Sequence, residues 1–154
     1  MYDEASGNKN FGYTSMTYSE KPTAILACDF AALIGPEPFK RWGVPALEFE
    51  SGIVGERALF HWDGPDAIKH RDDLINIKNL HTFSYVPNWH QSHCEFLELY
   101  RNCQDRGKGI YFIGKPDEIK KAHEILRPEY TIYNTQIPDE AAFYELDDWL
   151  RRHV

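Results

Sequence analysis

The sequence predicts an α/β fold: a single domain with a mixed, mostly parallel sheet flanked by helices, a β-hairpin and an N-terminal aromatic arm. Three observations carry that expectation. Over residues 88–153 helical and extended patterns alternate, the order that joins parallel strands through right-handed crossovers. Two short apolar runs, Thr23–Phe30 and Gly109–Gly114, have the length and composition of buried strands. A length of 154 residues suits one continuous core.

Residues 1–22 are polar but carry Tyr2, Phe11, Tyr13 and Tyr18, so they read as an arm whose rings pack on the domain, cross a dimer interface or close a ligand site. The domain itself is expected over 23–154. Its first strand is TAILACDF, and Gly35-Pro36-Glu37-Pro38 breaks regular structure after it. Leu47 and Phe49 alternate with Glu48 and Glu50, and Ser51-Gly52 can turn the chain into 53–62, which predicts a hairpin. Asp63-Gly64-Pro65-Asp66 marks a turn, and Pro65 suits the first position of a short helix to about Asp73. Leu74–Ile77 and Thr82–Val86 read as extended.

From Asn88, read as an N-cap, a helix is expected to about Asp105, closed by Gly107. Trp89, His93, Phe96, Leu97, Tyr100 and Cys103 would form its buried stripe. After the GIYFIG strand, Pro116–Leu126 reads as a helix with proline and two acids in its first turn. Its expected inward residues are Ile119, Ala122, Ile125 and Leu126. Tyr130–Asn134 is the last strand and Pro138–His153 a closing helix, with Ala142, Phe143, Leu146, Trp149 and Leu150 inward.

Composition narrows the function classes. The formal charge is −7, which argues against a broad grip on nucleic-acid backbone, since that needs clustered lysine and arginine. The interrupted basic clusters near Lys69 and Arg101 leave a nucleic-acid partner open without arguing for one. No run approaches the roughly 20 apolar residues that cross a bilayer. Cys28, Cys94 and Cys103 form no CxxC, and no apolar leader is read, so a reducing, cytoplasmic compartment is the expectation.

Candidate chemistry concentrates in two places. The segment Leu80–Cys94 holds His81, His90, His93 and Cys94 among Phe83, Tyr85 and Trp89. Imidazoles move protons near neutral pH, and rings offer flat surfaces to a planar ligand. Helical spacing assigns His93 and Cys94 to structure and leaves His81 and His90 as acid–base candidates, with Trp89 as a stacking surface. The second place is the rim beyond the carboxyl ends of the strands, where open parallel sheets bind ligands. It would gather Asp29 as a functional carboxylate or a turn cap, Gly114 and Lys115 as an anion contact at a helix start, and Asn134, Thr135 and Gln136 as hydrogen-bonding groups.

The expected function is a hydrolase or group-transfer enzyme that binds a nucleotide-like or phosphate-bearing small molecule and works by metal-independent acid–base chemistry. Asp29, His81 and His90 would be catalytic, and no cofactor is implied. A non-enzymatic binding or assembly protein, homo-oligomeric through the aromatic arm, is the first alternative. A metal-dependent nuclease or phosphatase using Asp29, Glu48, Glu50 and histidines is the second, although neither CxxC nor HExxH accompanies those residues.

Overall fold

The computed structural model describes residues 10–11, 18–19, 23–54 and 57–154. Two short strands, β1 (Asn10–Phe11) and β2 (Tyr18–Ser19), pair antiparallel. The packing expected of the N-terminal rings lies outside the described residues. The chain divides between Val86 and Pro87 into two compact units.

In the first unit, β3 (Ala24–Ala27), β4 (Ala58–Asp63) and β5 (Leu80–Val86) pair in parallel in that order. Registered residues of parallel strands face the same side. Leu26 is level with Phe60, Phe60 with Phe83, and Trp62 with Tyr85, so a single face collects the large rings. Phe60, Trp62, Phe83 and Tyr85 are all buried. They meet edge to face, with Trp62 at 5.4 Å from Tyr85 and 5.9 Å from Phe83, the arrangement that ring quadrupoles favour.

The β3–β4 connection runs through a 3-10 turn (Asp29–Leu33), a helical turn (Pro36–Pro38) and a π-helical turn (Phe39–Gly43) into α1 (Val44–Val54). Gly43 lacks a Cβ for a steric reason: one placed there would lie 2.6 Å from the Phe39 ring. The β4–β5 connection starts at Gly64, whose φ of 88° favours glycine, and passes through a 3-10 segment (Pro65–His70) into α2 (Arg71–Asn76). The two connections lock together at His70. Its buried ring stacks on Phe39 at 4.1 Å, and Nε2 donates to the Ala31 carbonyl at 2.9 Å.

The α/β class stands, but the hairpin over 47–62 does not form: Val44–Val54 is helical. Leu47 and Ser51, one helical turn apart, are the buried positions, so tertiary packing overrides the local Leu-Glu-Phe-Glu alternation. Glu48 and Glu50 therefore project about 200° apart around a helix and do not form the paired carboxylates of a strand face. Leu74–Asn76 likewise is not extended, because Arg71–Asn76 is helical, and only Ile77 of that segment has extended backbone. Between residues 23 and 154 every strand pairing inside a unit is parallel, where a mixed sheet was expected.

In the second unit, β6 (Gly109–Ile113) and β7 (Thr131–Asn134) pair in parallel, with Ile110 level with Thr131 and Phe112 with Tyr133. Before them a 3-10 turn (His93–Phe96) leads into α3 (Leu97–Asp105); α4 (Pro116–Ile125) joins the two strands, and α5 (Glu140–Arg152) closes the chain. Gly107, at φ 75°, ends α3, and its amide donates to the Gln104 carbonyl. Asp139 Oδ1 accepts from the Ala142 amide at 2.8 Å and caps α5. Tyr100, Cys103, Ile110, Phe112, Ile119, Ala122, Leu126 and Leu146 form the core.

The expected helix start at Asn88 moves to Ser92, where a capping box sits. Trp89 therefore lies ahead of the helix, 94% exposed, outside the buried stripe. Ile125 and Phe143 are also exposed, so Ile119 and Ala122, with Leu126 just past the helix end, supply the apolar contacts of α4, and Leu146 is the buried residue of α5.

Candidate functional site

The richest cluster of polar side chains in the second unit surrounds Ser92. Its hydroxyl donates to Glu118 Oε1 at 2.5 Å and accepts from the Cys94 amide at 3.0 Å. The Ser92 amide donates to Glu95 Oε1 at 2.9 Å, which completes a Ser-x-x-Glu capping box. Glu118 is shared: its other oxygen accepts from the Lys115 amide at 2.8 Å, closing the start of α4. The Cys94 thiol points at the Glu118 carbonyl, 3.6 Å away. An open cleft of about 420 Å³ lies against these groups, lined by Ser92, Cys94, Glu95, Asp117, Glu118 and Lys121.

The hydrogen bond from Ser92, followed by that from the Lys115 amide, holds the Glu118 carboxyl below the usual range, so it is ionised at neutral pH. Burial raises the Cys94 thiol and keeps it protonated. Burial lowers His93, with Glu118 opposing part of that effect, so the ring is neutral at pH 7. His93 Nδ1 shares a 2.8 Å hydrogen bond with the Tyr100 hydroxyl, and its ring meets Phe112 edge to face at 5.7 Å. The site thus combines an ionised carboxylate, a hydroxyl pointed at it, a neutral imidazole within its electrostatic reach, and Lys121. A depressed carboxylate is a weak base, so Glu118 orients the Ser92 hydroxyl, while burial keeps His93 in the neutral form that an acceptor of protons requires and at the same time weakens it as a base.

Asp29 opens the 3-10 turn after the carboxyl end of β3, whereas His81 is the second residue of β5. In parallel strands these are opposite ends: the end of β3 at Ala27 is level with Ser84, three residues or about 10 Å beyond His81 at roughly 3.3 Å per residue. His90 occupies an exposed turn of the second unit, its ring 5.4 Å from that of Trp89. The β6–β7 pairing does bring Gly114 and Asn134 to one rim: the Gly114 amide donates to the Asn134 carbonyl at 3.1 Å. Asn134 Nδ2 donates to the Tyr111 hydroxyl at 2.8 Å, and Thr135 Oγ1 lies 3.5 Å from the Gln136 carbonyl. Lys115 is exposed just before α4.

Ser92, His93, Cys94, Glu118 and Lys121 escaped the sequence reading as a site. Ser92-His93-Cys94-Glu95 carried the capping-box signature that would have drawn attention to Ser92. Nothing local joins it to Glu118, 26 residues later. Among the described residues no three His, Cys, Asp or Glu side chains converge as metal ligands, and no helix is long and apolar enough to cross a membrane.

Fold and cleft together define an α/β protein with an open depression in its second unit, edged by the carboxylates of Glu95, Asp117 and Glu118. Compared with known protein families, curated proteins and solved structures, the chain matches none.

Proposed function

We propose that this chain is an α/β enzyme that binds a nucleotide-like small molecule in the second-unit cleft and acts by metal-independent acid–base chemistry, in hydrolysis or group transfer. The observation that carries the reading is the 2.5 Å Ser92–Glu118 pair set at a cleft, with the neutral His93 next to Ser92 in the chain. Glu95, Asp117 and Glu118 accept hydrogen bonds, which suits the hydroxyl and amino groups of a nucleoside. A phosphate on the same ligand needs Lys121 or Lys115, because the Lys115 amide is already bonded to Glu118 and the start of α4 carries two carboxylates.

Calorimetric titration with nucleosides, nucleotides and inorganic phosphate tests this. Nucleosides or nucleotides should bind, phosphate alone should not, and Glu118→Gln should weaken binding at least about tenfold, near 1.4 kcal/mol. Failure of every nucleoside and nucleotide to bind, or affinities unchanged in both Glu118→Gln and Lys121→Ala, would sink the proposal.

A second reading, a protein-binding module, draws on the first unit. Trp42, Phe49 and Ile53 follow one side of the π-helical turn and α1 and are 61%, 72% and 72% exposed. Exposed aromatics at that spacing are the usual anchors of an interface. Sedimentation at rising protein concentration, repeated on Trp42→Ala with Phe49→Ala, tests whether this stripe drives self-association.

A further inference from the structure

His123 has no part in the proposed chemistry, yet it is the buried histidine of the second unit. Only 5% exposed, it stands where α4, β7 and α5 meet. Nδ1 shares a 3.0 Å hydrogen bond with the Tyr133 hydroxyl of β7. The Trp149 ring of α5 meets the imidazole at 5.8 Å, and the C-terminal His153 stacks on the far partner of that contact, 4.0 Å from Trp149. Nε2 is buried without a hydrogen-bond partner. A charged ring carries an N–H on both nitrogens, and in this buried place only the backbone at Leu150 and His153 favours the second one, so burying the cation costs more than burying the neutral ring.

On α4, Glu124 favours the charged ring, while Lys120 is drawn to α5 by Glu145 at 3.9 Å and by the Trp149 face at 5.7 Å. On β7, burial pushes Tyr133 up to about 12, so it stays neutral. On α5, the backbone at Leu150 and His153 favours the imidazolium and the His153 ring opposes it. Burial outweighs these, and His123 is held below its ordinary value. Little else fastens α5: Leu146 is its one buried residue.

We propose that His123 is an acid-sensitive latch for the C-terminal helix: protonation at the α4–β7–α5 junction releases α5 while the β6–β7 pair stays formed. For a histidine whose folded-state value is lowered, the stabilising contribution is complete above the unfolded value, about 6.5, and is lost as pH falls below it. The latch is therefore closed at pH 7.5 and opens on mild acidification.

Amide hydrogen exchange of the whole chain between pH 7.5 and 5.5, corrected for intrinsic exchange, tests it. Protection of α5 amides should fall below about pH 6.5, by at most about tenfold per pH unit for one proton, with β6 protection retained. The fall should vanish in His123→Gln and persist in His153→Gln and His93→Gln. An α5 protection that does not change with pH, a parallel loss in β6, or a fall abolished by His153→Gln would overturn the latch. Should His123→Gln fail to fold, the ring titration of His123 in the unaltered protein decides by NMR: a midpoint at or above 6.5 overturns it, and one below 6.5 that coincides with α5 opening supports it.

Discussion

Gln104 offers the sharpest test of what holds the second unit together. It is fully buried on α3 and its amide is satisfied at both ends. Nε2 donates to the Arg127 carbonyl at 3.0 Å and to Thr131 Oγ1 at 2.9 Å, and Oε1 accepts from the Arg127 amide at 2.8 Å. Three hydrogen bonds at about 1 kcal/mol each give about 3 kcal/mol for Gln104→Ala, and the unfilled volume brings the total to about 3–5 kcal/mol. Gln104→Met keeps most of the volume and loses the bonds, so about 2–3 kcal/mol should remain. The control lies on the same arginine: Asp105 pairs with Arg127 Nη2 at 2.9 Å, but both side chains are well exposed, so Asp105→Asn should cost only about 0.2–1 kcal/mol. Urea unfolding followed by exchange of the β6–β7 amides reads this unit directly. If Gln104→Met were no more costly than Asp105→Asn, the buried network would not be what fixes the α4–β7 connection.

Three further outcomes follow from particular contacts. Gly114→Ala should destabilise by about 1–3 kcal/mol by overpacking and weaken nucleoside binding, because the new Cβ lies 2.8 Å from the Phe112 ring and 3.2 Å from Glu118 Cβ; thermal melts and calorimetry check both. Burial pushes the Cys103 thiol up to about 12, so alkylation at pH 8 followed by mass spectrometry should modify the half-buried Cys28 and Cys94 well before Cys103. The Glu118 carboxyl is lowered, so its contribution to stability is present above the ordinary carboxylate range and lost as pH falls through its folded value; in Glu118→Gln the acid limb of the stability curve should flatten there.

How far the sequence carried differs between residues for identifiable reasons. Local signals were reliable where they agreed with packing: Pro116 with Asp117 and Glu118 opens α4, Gly107 ends α3, and GIYFIG is a buried strand. They failed where a residue's neighbours in space decide. In Val44–Val54 the alternation of Glu with apolar residues imitates a strand, and only the burial of Leu47 and Ser51 reveals the helix. Asn88 is an acceptable cap by type, but Ser92 has the glutamate three positions on that closes a box. Two of the groups expected at one rim, Gly114 and Asn134, do meet, because adjacency of consecutive parallel strands is a topological rule. The Ser92–Glu118 pair is a long-range contact with no periodicity to announce it.

The order of the strands bears on how this chain reaches its native state. β3 pairs with β4, β4 with β5, and β6 with β7, so every ladder within a unit joins segments that follow one another in the sequence. No strand must slip between two already paired. The β4–β5 and β6–β7 connections span 16 and 17 residues and the β3–β4 connection 30, and because loop-closure entropy grows only with the logarithm of length, the longest costs only about 0.6 kcal/mol more than the shorter two. Within each unit, a chain wired in this way can assemble its strands in the order in which they leave the ribosome: β4 finds β3 already made, β5 finds β4, and β7 finds β6.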